Sequence, residues 1–403
     1  MRIIAAALSL LLSGAAPASD VWPETRTSNE FDIAAEGVPS IFKEERCFGA
    51  FTFPPKPGPI DPAKICETQP ELCPPTGPPP PSCMCSPPRP GALLGGQHVT
   101  LPVSFDVQHT FEGRTEWSAL NGGWKKNIEL AAAYLNDGPS CRHFVLSYPG
   151  VVGESEEPFS VLSGRLRACA SGEYNSHYAS YGRALNAAGI RHGLIMRIGW
   201  EWNIATNPGM SPKDKKGGAM HAELIPDFKA CFRNIVTSMR STCSDCGIKF
   251  DYNSNGTIND ALMRQGYPGD DVVDIISIEA YDNSGSKTDP VARWASRQAK
   301  LDMARDFARE RGKYTAFPEW GVINCNIRSK PCSDGLLRPS FTAGDNPYYI
   351  QKMCEYGKNP DNKVYYSIYF GGSDANYPWH NLSHPLNAQS GAAFVRYCGC
   401  EIP

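Results

Sequence analysis

Two short stretches hold residue types suited to chemistry. In "RIGWEWN", residues 197–203, Glu201 stands between Trp200 and Trp202 at the end of an apolar run. In "FPEWG", residues 317–321, Glu319 is followed directly by Trp320. A carboxylate set among indole rings loses hydration, which favours its protonated form. One glutamate at the end of an apolar run is ordinarily a solvated residue. Two of them, each beside a tryptophan, suit glycoside hydrolysis. There one carboxyl group protonates the departing oxygen while a carboxylate attacks the anomeric carbon or activates water. A gap of roughly 5–5.5 Å between the groups gives retention of configuration, and roughly 6.5–9.5 Å gives inversion.

The surrounding elements must bring these glutamates together. Apolar runs rich in β-branched and aromatic residues occur at 47–53, 100–109, 143–150, 193–203, 248–255, 272–282, 314–321 and 364–372. Between most of them lie helical patterns, at 178–189, 224–240, 292–312 and 346–357. This alternation predicts an α/β chain with a parallel sheet, closed as a (β/α)8 TIM barrel with disulfide-stapled insertions. No Gly-x-Gly-x-x-Gly turn follows an early strand, which counts against an open nucleotide-binding sheet. In the barrel, Glu201 ends the fourth strand and Glu319 the seventh, opposed across the mouth. The other run ends supply His109, Tyr148, Asn203, Asp251, Tyr252, Asn253, Glu279 and Tyr281. Aromatic rings and hydrogen-bonding groups on one face suit a carbohydrate.

The chain has 403 residues and a formal charge of −3, with no field that would draw nucleic acid or an anionic membrane. Residues 1–18 read as a secretory signal peptide, with Arg2 ahead of an apolar stretch and Ala16-Pro17-Ala18 as the cleavage site. Residues 19–46 form a polar extension and 47–403 the barrel. Within the latter, 54–91 is a proline-rich insertion stapled by Cys66, Cys73, Cys83 and Cys85. Fifteen cysteines beside an export signal indicate disulfides in a secreted or periplasmic monomer. Cys243-x-x-Cys246 lacks a second pair for zinc, and no His-x-His occurs, so no metal or other cofactor is expected.

"RIGWEWN", "YPGDDVVDIISIEAYD" (267–282), "FPEWGV" (317–322) and "GDNPYYIQKM" (344–353) follow one another in an order that resembles glycoside hydrolase family 26. That family consists of retaining (β/α)8 barrels typified by β-mannanases, and the resemblance runs from about 98 to 375. It implies Glu201 as acid/base, its pKa raised by the tryptophans, and Glu319 as ionised nucleophile. It also implies that the Tyr281 hydroxyl bonds the nucleophile and that Arg197 lies beneath the site. The expected substrate is a mannan-like or related β-linked polysaccharide. Trp200, Trp202, Trp379, His109 and Tyr252 are expected at the substrate. Trp320 is either a sugar platform or packing under its strand, and His109 either a contact or a structural histidine. Asn203 is expected to bond a sugar hydroxyl, and His380 to join Trp379 in flooring the site. Glu279 is placed on the face opposite Tyr281, in a structural salt bridge. The chain departs from β-mannanases in carrying Trp200 where they usually have histidine, and Ile204 where a glycine usually follows. The competing expectation is a carbohydrate-binding protein without catalysis on the same barrel.

Overall fold

The computed structural model describes residues 93–97, 106–117, 124–137, 142–214, 218–282, 289–324, 344–371 and 380–398. The expected leader, the extension at 19–46, the run at 47–53, the proline-rich segment and Trp379 lie outside the described residues. The strands are β1 (Leu93–Gln97), β2 (Val107–Phe111), β3 (His143–Tyr148), β4 (Leu194–Ile198), β5 (Lys249–Ser254), β6 (Ile275–Ile278), β7 (Ala280–Asp282), β8 (Tyr314–Val322) and β9 (Val364–Phe370). Every pairing between them is parallel, and β1 pairs with both β2 and β9, so the ring closes. Both β6 and β7 pair with β8, on either side of Glu279, so nine strands fill eight places. The chain is a (β/α)8 barrel, as expected. Its first strand is a correction: "LLGGQ" at 93–97, rather than 47–53, stands beside β2 and β9. The proline-rich segment therefore precedes the first strand in the chain instead of following it.

Period two sorts the strand residues. Val107, Val145, Ile195, Ile275, Ala316, Tyr366 and Ile368 form a closed apolar cluster inside the ring. Their neighbours in sequence, such as Phe144, Leu146, Met196, Phe250, Ile276 and Phe317, belong to the larger core between the ring and the helices. The helices are α1 (Trp124–Asn136), α2 (Phe159–Ala170), α3 (Asn175–Ala187), α4 (Ile225–Thr242), α5 (Asp260–Gly266), α6 (Pro290–Glu310), α7 (Pro347–Lys358) and α8 (Ala388–Tyr397). In α4, Phe228, Cys231, Phe232, Ile235 and Met239 recur at helical spacing and are buried on one side. Asn259, Asp289 and Asn346 cap α5, α6 and α7, each accepting a backbone N–H three residues on. Pro290 and Pro347 follow two of these caps, where a missing donor costs nothing.

Among the described residues three disulfides fasten this outer layer: Cys169–Cys231 ties α2 to α4, Cys243–Cys246 closes the end of α4, and Cys354–Cys398 ties α7 to the end of α8. The Cys243-x-x-Cys246 motif is thus a local bridge. No helix among the described residues is long and apolar enough to cross a membrane.

One outer-layer group makes stability depend on pH. Glu112, one residue past β2, accepts hydrogen bonds from the Tyr181 hydroxyl at 2.5 Å and Asn127 Nδ2 at 2.7 Å. Burial pushes its carboxyl up to about 7, against those two bonds. Its ionised form is therefore disfavoured by the fold, so its contribution is full below the unfolded carboxyl pKa and is lost as pH rises through 7. The shift corresponds to about 3 kcal/mol. Glu112→Gln, which keeps an acceptor for Tyr181, is expected to be more stable than the parent at pH 8 and to lose that advantage at pH 4. Urea denaturation at both values checks this; an unchanged pH dependence would refute the assignment.

Candidate active site

The strand ends place one cation among several carboxyl groups. Arg197 is the fourth residue of β4 and points into the ring with Ile195 two residues before it. Its side chain is 0% exposed. Nη1 donates to Glu319 Oε1 at 2.5 Å and to Ser147 Oγ at 3.2 Å. Nη2 donates to Asn253 Oδ1 at 2.9 Å and to Glu279 Oε1. The Phe111 ring centroid lies 6.0 Å from the guanidinium carbon. Burial works against the charge of Arg197, but Glu319 and Glu279 more than offset it and hold the group charged.

Glu319 reaches this cation through a local irregularity. Between Phe317 and Trp320 the β8–β9 register gains one residue on β8, since Phe317 pairs with Ser367 and Trp320 with Tyr369. Such an extra residue re-aims the side chains after it. Pro318, with no N–H to give to the ladder, lies in this stretch. Both Phe317 and Trp320 consequently pack outward, while Glu319 turns inward onto Arg197. The second Glu319 oxygen accepts from the Tyr281 hydroxyl at 2.9 Å. Burial and the neighbouring Glu201 charge hold the Glu319 carboxyl above its ordinary value, although the Arg197 charge and the two donated bonds work against them.

Glu201 follows β4 through a turn in which Gly199 and Glu201 both have φ of +54°. A non-glycine residue in this left-handed region is strained by roughly 1–3 kcal/mol and must be held there by its surroundings. Its backbone N–H donates to Asn253 Oδ1 at 3.0 Å, so one amide positions both Arg197 and Glu201. Asn255 Nδ2 and the Thr206 hydroxyl donate to its carboxylate, and a hydrogen bond joins it to Glu279. Burial raises the Glu201 carboxyl, but these bonds and Arg197 outweigh burial and leave it below the ordinary value. This corrects the expectation of a raised pKa. Burial and the charges of Glu201 and Glu319 push the neighbouring Glu279 carboxyl well above the usual range.

Glu279 makes the expected salt bridge, to Arg197, but on a different face from the one expected. It is two residues from Tyr281, and both side chains face into the site, onto Arg197 and Glu319. Asn203 is buried, and its Oδ1 accepts the Asn255 backbone N–H at 2.7 Å, so it holds the loop after β5 rather than a sugar hydroxyl. Asn255, in the sequon Asn255-Gly-Thr257, spends its amide on Glu201, which makes it a poor glycan site.

The aromatic residues divide. Trp202 is fully buried in the outer core, its ring 4.9 Å from that of Phe228 and its Nε1 bonded to Ser254 Oγ at 3.1 Å. Tyr252 is buried beside it and donates to the Met263 carbonyl at 2.9 Å. Trp320 packs between Tyr369 and Phe394, behind β8. None of these three reaches a substrate. The reason is parity: Asp251, Asn253 and Asn255 make the inward row of β5, and Tyr252 stands between them facing out. The sequence showed this row as three polar residues at spacing two; Asn253 was read there only as a strand-end residue, and Asn255 and Thr206 were given no part in the site. Trp200 stays at the mouth, nearly buried, edge-on to Phe111 with centroids 5.3 Å apart. His109 lies inside the ring with Nε2 2.7 Å from Ser147 Oγ, two bonds below the Arg197 cluster. His380 packs 5.3 Å from the Tyr281 ring, donates Nδ1–H to the Val322 carbonyl at 2.8 Å, and is held neutral by burial, which lowers it to about 4.

No family model matches the chain. A curated mannan endo-1,4-beta-mannosidase of Bifidobacterium adolescentis is 29% identical over 168 residues. That match takes in 40% of this chain and 16% of the relative, so this chain spans a small part of that protein. The solved structure of GH26C from a Muricauda species matches with a TM-score of 0.51 at 14% identity, over 70% of this chain and 79% of the other. A modular endo-beta-1,4-mannanase from Cellulomonas fimi matches with a TM-score of 0.51 at 19% identity, over 77% and 71%. The two structures share the barrel fold, and the sequence match bears out the resemblance to family 26 β-mannanases.

Proposed function

We propose that this chain is a secreted, retaining glycoside hydrolase that cleaves a mannan-like or related β-linked polysaccharide. The observation that carries the reading is the pair of glutamates on opposed strands, Glu319 fixed by Arg197 and Tyr281 and Glu201 fixed by Asn253 and Asn255. Both oxygens of Glu319 accept hydrogen bonds, and these with the Arg197 charge favour the charged, nucleophilic form against burial. Glu201 sits at the rim, half-buried, in connection with a proton. In the first step the Glu319 carboxylate attacks the anomeric carbon as the proton passes through Glu201 to the departing oxygen. In the second, Glu201 takes a proton from water, which releases the sugar from Glu319. Trp200 and Phe111 on one side, and Tyr281 with Phe370 and His380 on the other, supply apolar surface at the mouth. The resemblance to β-mannanases supports the substrate class. Export belongs to the proposal too; the leader read at residues 1–18 and the three disulfides fit an oxidising compartment.

The test is hydrolysis of a panel of β-linked polysaccharides and aryl glycosides, with product anomers followed by NMR. Wild type is expected to cut a member of the panel with retention, and Glu201→Ala to lose on the order of 10²–10⁴-fold on poor leaving groups. If no member is cut while a glycan binds equally to wild type and Glu201→Ala, the chain is a carbohydrate-binding protein instead. Inversion at the anomeric carbon would sink the double displacement.

A further inference from the structure

Three carboxyl groups share one cation at this site, and the third has no place in a two-carboxylate reaction. Glu279 is 1% exposed. Its Oε1 accepts from Arg197 Nη2. Its Oε2 is buried and receives no N–H or O–H from any neighbouring donor among the described residues. A hydrogen bond joins the Glu279 carboxyl group to that of Glu201. Two carboxyl groups hydrogen-bond only when a proton lies between them. The groups around the pair are Arg197 and Glu201 from β4 and its turn, Asn253 from β5, Ser277 from β6, Tyr281 from β7 and Glu319 from β8. From the loops after β4 and β5, Thr206 and Asn255 donate to Glu201, whereas no group among the described residues donates to Glu279 Oε2, an arrangement that favours the anion on Glu201 and the proton on Glu279.

We infer that Glu279 is a positioning residue that stores the proton Glu201 delivers, and that Arg197 exchanges its ion pair from Glu319 to Glu279 as the glycosyl ester forms. The inference rests on the proposed retaining reaction. At rest, Glu319 is ionised and the Glu201–Glu279 pair holds one proton and one negative charge. In the first step a bond forms between Glu319 and the anomeric carbon, and the bond to the departing oxygen breaks with its electron pair on that oxygen. The pair's one proton passes from Glu279 through Glu201 to that oxygen, which leaves both carboxyl groups of the pair ionised. Glu319 loses its charge to the ester while the pair gains one. The total is unchanged, and Arg197, bonded to Glu319 through Nη1 and to Glu279 through Nη2, already touches both sites. Water then adds its oxygen to the anomeric carbon and its proton to the pair, and Glu319 leaves as carboxylate. A fixed guanidinium between the two seats lets charge move without reorganising solvent.

Glu279→Gln tests this, because it keeps size and hydrogen bonding but cannot carry a proton to Glu201. Without a partner to share the proton, Glu201 titrates alone beside Arg197. The alkaline limb of kcat/KM is expected to move to lower pH by one unit or more. Loss on a methoxyphenyl glycoside is expected to exceed loss on a dinitrophenyl glycoside, which needs no acid, by at least 10-fold. An unmoved limb with equal losses on both leaving groups, while wild type hydrolyses normally, overturns the relay and leaves the reaction standing. Should wild type hydrolyse nothing, the reaction and the relay fall together. If Glu279→Gln does not fold, isotope-edited infrared titration of wild-type glutamates decides. It is best done with Glu112→Gln as background, because Glu112 also titrates near neutrality. A protonated carboxyl band persisting at pH 7.5 supports the stored proton, and complete ionisation by that pH overturns it.

Discussion

Glu319→Ala is expected to lower kcat on an aryl glycoside by at least about 10⁴-fold, equivalent to about 5 kcal/mol of lost transition-state stabilisation. Added azide is expected to restore turnover and give a glycosyl azide of inverted configuration. The geometry explains both halves. Removing the carboxylate leaves a small space bounded by Arg197 Nη1 and the Tyr281 hydroxyl, the two donors that held it. A small anion meets the same two donors there and can attack the anomeric carbon in place of Glu319. It cannot be displaced in turn by the second step, so its product keeps the inverted configuration. Residual activity within 10-fold of wild type, or azide without effect alongside an intact Glu201, would place the nucleophile elsewhere.

The barrel was legible because its evidence is distributed. Strand β3, for instance, is buried along all six residues and reads as an apolar Phe-Val-Leu centre, and α4 repeats its apolar positions at helical spacing. Each element is over-determined, and losing one leaves the alternation readable. The first strand was missed because "LLGGQ" is five residues with two glycines and carries almost no propensity of its own. Its place is set by pairing with β2 and β9, a tertiary fact.

The site was legible where residue type and position coincide, and illegible where side-chain direction decides. Arg197, Glu279, Tyr281 and Glu319 converge as strand ends in a barrel must. Which neighbour faces in depends on strand phase, and phase is fragile. In β8 one extra residue between Phe317 and Trp320 sends Glu319 inward and Trp320 outward. Chemical appeal then misleads: tryptophan and tyrosine invite assignment to a sugar, yet Trp202 and Tyr252 stack in the layer between β5 and α4. The useful signal on β5 was the less conspicuous row Asp251, Asn253, Asn255. The proton's location was beyond sequence altogether, because it depends on Glu201 lying against Glu279 and on a count of donors around each.

That count makes Arg197 the position where stability and activity are hardest to separate. Arg197→Met is expected to destabilise the fold by about 3–5 kcal/mol at neutral pH, since it leaves the Glu319 charge and the one charge of the Glu201–Glu279 pair without their cation. The sign with pH follows from those two groups. In the variant both carboxyls are disfavoured as anions, so their folded-state pKa values stand above the unfolded ones. Stability lost at pH 7 therefore returns as the pH falls toward 5 and the pair takes up protons. Urea denaturation at pH 5 and pH 7 is expected to show the gap between variant and wild type narrowing on acidification. Adding Glu319→Gln to Arg197→Met is expected to recover part of the loss at pH 7, because one of the two stranded charges is gone, and this non-additivity measures the pair directly. A gap independent of pH, or a double variant that sums the two single losses, would mean that Arg197 acts by filling space. In that case its two ion pairs would contribute nothing to the fold, and the charge exchange argued for the reaction would lose its pivot.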